Sequence, residues 1–150
     1  MATADTAQLS EPHAPKPASL QLYDEIEHDL KKLLLHERHD KAKHELPYFA
    51  AAEHVSDQDF VGFRQSDLEL VRHAAVAYGH IVFGKLRIPA LAEGSQNCYV
   101  HFRAFEPEPG TDDVKAEVHS IHTERLEEPD GGFRYRALFT KDDPLEWFDT

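Results

Sequence analysis

Tyr99-Val100-His101-Phe102-Arg103-Ala104-Phe105 alternates in side-chain character and runs directly into Glu106-Pro107-Glu108-Pro109-Gly110. Successive side chains of a β-strand point to opposite faces, so this alternation predicts a strand, and the Pro-Gly pair after it predicts a hairpin tip. A second strand is expected over Val114–Thr123, and the turn Pro129-Asp130-Gly131-Gly132 leads into a third over Gly132–Thr140. In that last run Phe133, Tyr135, Ala137 and Phe139 alternate with Arg134, Arg136, Leu138 and Thr140, the pattern of an antiparallel strand with one buried face. Upstream, from about Val71, the residues Val76, Ile81, Val82, Phe83 and Ile88 are β-formers, with Gly79 and Gly84 expected at bulges or bends. Pro89–Ser95 reads as a connection.

Further toward the N-terminus the period changes. Leu20, Tyr23, Ile26, Leu30, Leu33 and Leu34 recur at helical spacing, with Ser19 placed to cap and Asp24, Glu25 and Glu27 ahead of Lys31 and Lys32, which complements the helix dipole. Pro47 should end this helix near Glu45 or Leu46. Ser56-Asp57-Gln58-Asp59 opens a second helical segment carrying Phe60 and Phe63; Gly62 weakens it, and Ser66-Asp67 allows a fresh start. The fold class that follows is α+β: an antiparallel four-stranded sheet packed on an N-terminal helix, with an extra helical segment. Residues 18–150 read as one domain, preceded by a disordered tail over 1–17 that holds Pro12, Pro15 and Pro17 and no apolar cluster.

The 150 residues carry a formal net charge of −12. A nucleic-acid binder needs a basic stripe and an anionic membrane attracts basic segments, so neither partner is expected. The single cysteine, Cys98, excludes an internal disulfide. No apolar run reaches the length of a membrane span, and no basic segment followed by an apolar stretch opens the chain. A cytoplasmic protein is the expectation.

The β-rich half resembles the cystatins, and within them the intracellular stefins. Tyr99, His101, Arg103, Phe105, Pro109 and Gly110 stand in the spacing of the stefin strand that runs into a Leu-Pro-Gly tip, with Glu108 in place of the leucine. Ala75-Val76-Ala77-Tyr78-Gly79 stands where stefins carry Gln-Val-Val-Ala-Gly, and Lys85-Leu86-Arg87 follows at the offset of their Lys-Val-Arg. The resemblance implies a helix wrapped by a sheet. It also implies a non-catalytic binding protein whose partner is a papain-like cysteine protease or another protein. The binding residues it implies are Val76, Ala77, Tyr78 and Gly79 at one tip and Pro109 and Gly110 at the other. Family inhibitors insert such tips, with an N-terminal glycine segment, into the protease cleft as a wedge. Here no glycine precedes Gly62, Ala75 replaces the glutamine, and Glu106 and Glu108 make the second tip acidic. Gln58-Asp59-Phe60-Val61-Gly62 also resembles the first-tip motif, but Ser56–Asp59 reads as a helix start.

Two other classes stay open. A curved sheet under helices also builds the pocket of small dehydratases and isomerases, for which His73, His101 and His119 with Tyr99 or Tyr135 are the candidate acid–base groups. An acidic interaction module is the other, with Glu124–Asp130, Asp142-Asp143 and an anchor at Leu145-Glu146-Trp147-Phe148, although the tail Asp142–Phe148 is expected to turn and tuck Trp147 and Phe148 against the open end of the sheet. Among the eleven histidines, His36, Asp40 and His44 share a helical face at metal-ligand spacing, yet Glu37, Arg38, Lys41 and Lys43 crowd them and point to a solvated helix end. His119 and His122, three apart in a strand, should face opposite ways, leaving His119 to meet His101 across strands. No cofactor or metal is expected, and Cys98 reads as an inert thiol.

Overall fold

The computed structural model describes residues 8–110 and 113–149. The chain is α+β, with a long helix, a four-stranded antiparallel sheet and a further two-stranded sheet. Helix α1 spans Pro17–Lys43. Pro17 takes its first position, where a missing N–H is harmless, and the Ser19 hydroxyl accepts from the Lys16 amide at 3.2 Å. The start therefore lies two residues ahead of Ser19, which caps from inside. Leu22, Tyr23, Ile26, Leu30 and Leu34 form its buried stripe. His44 closes the helix, and a 3₁₀ turn over Pro47–Ala52 follows. The short α2 (Asp57–Phe60) has the expected cap, Ser56 Oγ accepting from the Asp59 amide at 3.2 Å. A second, 3₁₀ turn over Gln65–Asp67 makes the segment two short pieces.

The main sheet runs in the order β1 (Leu68–Val76), β2 (Gly79–Arg87), β3 (Tyr99–Pro107), β4 (Glu117–Ile121). A one-turn helix, α3 (Pro89–Ala92), lies in the connection from β2 to β3. The expected strand Gly132–Thr140 does not join this sheet. Its first part, β6 (Phe133–Arg136), pairs with β5 (Glu124–Glu127), and only Phe139 reaches back, bridging to Tyr99. The alternation was real but its partner is local, because the tight turn at Pro129–Gly132 folds the chain onto the residues just before it.

Gly79 and Gly84 are not bulges. Both sit in register, opposite Pro107 and Phe102. A side chain at Gly84 would place its Cβ 2.3 Å from the Phe102 ring, so glycine is there to admit that ring. The irregularities fall instead where β1 passes Glu69 and where β4 passes His119.

The two faces of the sheet are covered differently. Val82, Leu86, Val100, Phe102 and Ala104 point inward and join the α1 stripe in the main core. The outer face carries Ile81, Phe83, Lys85, His101 and Arg103. It is covered by the C-terminal segment, whose Leu145 and Phe148 form a second cluster with Ile81 and Phe83. That segment has no strand pairing. Side-chain cations hold its backbone instead: Lys85 Nζ donates to the Thr140 and Asp143 carbonyls, both at 2.7 Å, Arg72 to the Leu145 carbonyl at 2.7 Å, and Arg103 to the Phe148 carbonyl at 2.9 Å.

Of the expected tail, residues 1–7 lie outside the described residues. The remainder is tied down: Ser10 and His13 bond to β1, with the Ser10 amide donating to the His73 carbonyl at 2.8 Å and His13 and Val71 exchanging bonds at 3.0 and 2.9 Å. No helical or alternating pattern marks this contact in the sequence.

Candidate functional site

The β1–β2 turn and the end of β3 emerge from the same edge of the sheet. Val76 pairs with Gly79, leaving Ala77 and Tyr78 as the turn. Tyr78 has φ of 69° and is 73% exposed, the most exposed large apolar side chain among the described residues. Beside it, Glu106 and Pro107 end β3, and Glu108, Pro109 and Gly110 form the exposed second tip, Gly110 taking φ of 89°. The Glu108 amide donates to the Tyr78 carbonyl at 2.9 Å, so the two tips are hydrogen-bonded neighbours. A Cβ at Gly79 would stand 2.1 Å from the Glu106 carbonyl oxygen; only glycine lets the strands come this close. All six residues expected at the tips thus lie on one edge, with Val76 half-buried at its root.

A third segment reaches this edge. The N-terminal residues run antiparallel to β1, so Ser10 lies beside His73 and the chain before it moves toward the tips. Leu9 and Val76 both pack against the outer cluster, and Gln8 and Leu9 line a shallow cavity with Ala75. Gln8–His13 is the part of the edge that the sequence reading missed, since it holds no glycine. A shallow cavity of about 200 Å³ lies behind the tips, lined by His13, His73, His80 and Glu106 among others. His13 Nε2 is 3.3 Å from His73 Nδ1. Burial, then the His13 and His80 rings, depress the basicity of His73. Burial raises the Glu106 carboxyl, with His80 opposing and Glu25 adding to the effect.

The candidate acid–base groups do not converge. His73 lies at this edge. Tyr99 is buried, its phenol pushed up to about 12 by burial and by Glu69, and Tyr135 packs edge-on against Tyr48. The middle of the inner face is filled by the α1 core, and its end toward the tips carries the cavity that His73, His80 and Glu106 share with Ala18 and Ser19 of α1. His119 and His122 do not face opposite ways. The bulge at His119 breaks the alternation, so His119 meets Arg103 at 3.3 Å while His122, not His119, faces His101. Cys98 is buried, which raises its thiol. His44 pairs with Asp40 on α1, and among the described residues no group of three or more His, Cys, Asp or Glu side chains is placed to hold a metal ion. Phe148 is buried and Trp147 half-buried, so they cover the sheet and do not stand out as an anchor. Among the described residues no helix is long and apolar enough to cross a membrane.

No protein-family model matches the chain, and the search of curated proteins finds no match.

Proposed function

We propose that the chain is a non-catalytic binding protein that inserts its paired hairpin tips into the cleft of a papain-like cysteine protease, as the stefin resemblance implies. The observation that supports this reading is the adjacency of the tips, held by the Glu108–Tyr78 backbone bond, with an exposed tyrosine at the apex of the first. A narrow edge with an aromatic apex can fill a cleft by area and shape alone, without covalent chemistry. Gln8–His13, lying alongside, supplies a third strand of contact. A buried, unreactive thiol suits the reducing cytoplasm in which such an inhibitor would act.

The direct test is inhibition of papain and cathepsins at neutral pH. Submicromolar inhibition is expected, and Tyr78→Ala should weaken it by about 30-fold, the loss of a hot-spot aromatic. Its folding midpoint should be unchanged or slightly raised, because the ring touches no core. Absence of inhibition at micromolar concentration would remove the reading.

A further inference from the structure

The outer face of the sheet carries an unusual aromatic stack. His101 lies flat on Phe139, ring centroids 4.2 Å apart and planes 7° apart. His122 lies flat on Phe148 at 4.5 Å and 6°, and against Phe139 at 5.1 Å. His101 is 1% exposed, and among the described residues neither of its ring nitrogens has a hydrogen-bond partner, nor does Nδ1 of His122. His122 is thus packed as a hydrocarbon ring beneath a segment that no β-ladder secures, and His101 beside it lies under Phe139, which bridges to Tyr99 just ahead of that segment.

We propose that Lys141–Asp149 is an acid-released strap: it closes over the outer face while His101 and His122 are neutral and lifts when they take up protons. An imidazolium needs both N–H groups solvated or paired, and here it would meet mainly ring faces and cations. The charged neighbours are Lys85 from β2, Arg136 from β6 and Asp143 from the strap around His101. Around His122 they are Glu124 from β5, Arg136, and Glu146 from the strap, with Glu37 of α1 lining the shallow cavity that reaches His122. Glu124 Oε1 is 3.8 Å from His122 Nε2, beyond hydrogen-bond distance but within ion-pair reach, and it favours the protonated ring; that carboxylate already pairs with Arg136 at 3.0 Å. Lifting the strap exposes this face to water and rehydrates Lys85 and Arg103, both of which burial disfavours as cations. Against that stands the burial of Leu145 and Phe148.

The sign follows from linkage. Burial holds His101 at about 3 and also lowers His122, whereas hydrated imidazoles titrate near 6.5. Above about pH 6.5 closure is independent of pH; below it, each histidine freed by opening favours the open form by up to tenfold per pH unit. Asp143, held ionised by Thr140 and Arg136, acts in the same direction only at more acidic pH.

Trp147 is the sole tryptophan and lies on the strap, its ring 5.2 Å from Phe83 and under the Arg103 guanidinium at 5.0 Å. In the full chain, titrated from pH 7.5 to 4.5, its emission should shift to the red and acrylamide quenching should rise with a midpoint between about pH 5 and 6, while far-UV circular dichroism stays constant. The double variant His101→Phe/His122→Phe keeps the flat rings without the proton sites and should abolish the transition. In the wild type, the NMR signals assigned to His101 and His122 should titrate together with the emission, and a different midpoint for both is the histidine result that counts against the idea, even if the variant fails to fold. Unchanged emission, a transition that survives in the folded variant, a titration of both histidines at a different pH, or emission that changes only as dichroism is lost would each overturn the strap.

Discussion

Gly79→Val is expected to part the two hairpin tips and to lower stability by about 1–3 kcal/mol. The reason is geometric. A Cβ at this position meets the Glu106 carbonyl oxygen at 2.1 Å and Pro107 Cα at 3.0 Å, both backbone atoms. No rotamer relieves such a contact, so β3 must move away and the Glu108–Tyr78 bond goes with it. Denaturant midpoints would measure the first effect. Protease inhibition, assayed where the variant remains folded, would measure the second, and a loss of at least tenfold is expected if the tips act as one wedge. A variant with the wild-type midpoint would mean that the strands do not approach as closely as described.

Gly84 and Phe102 should behave as one unit. Phe102→Ala leaves a cavity in the middle of the inner face and should cost about 3–5 kcal/mol. Gly84→Ala pushes a methyl into the Phe102 ring, at 2.3 Å from two of its carbons, and should cost about 1–3 kcal/mol. The double variant Gly84→Ala/Phe102→Ala gives the methyl room, so its loss should fall short of the sum of the two single losses by about 1 kcal/mol or more. Guanidinium unfolding of the four proteins closes the cycle. Simple additivity would show that the ring does not lie over Gly84.

The parts of the fold legible in the sequence are those set by local period. The α1 stripe at Tyr23, Ile26, Leu30 and Leu34 and the alternation of β3 each bury one face, and that requirement writes itself into residue spacing. The tips were legible as well, because Gly79 and Gly110 are demanded by close approach or by a positive φ. Register was not. The bulge at His119 is a two-against-one mismatch between strands, invisible in either strand alone, and it brought His122 rather than His119 to His101. Coverage of the outer face was also hidden. Lys85 carries a full charge yet is 0% exposed, since backbone carbonyls of a segment some 55 residues later satisfy its ammonium. Trp147 and Phe148 were expected to tuck against the body, and they do, but the face they cover was not legible.

Tyr78 has one more implication. An L-residue in the left-handed region crowds its own Cβ against the following carbonyl, at a cost of about 1 kcal/mol, which glycine or asparagine largely avoids. The ring returns nothing to the core, being exposed at the apex of the turn. Tyr78→Gly or Tyr78→Asn should therefore raise the thermal midpoint while blunting the first tip. Robustness and reach are opposed at this residue. A laboratory selection for heat tolerance alone would be expected to discard the tyrosine early, and with it the apex on which the proposed inhibition rests.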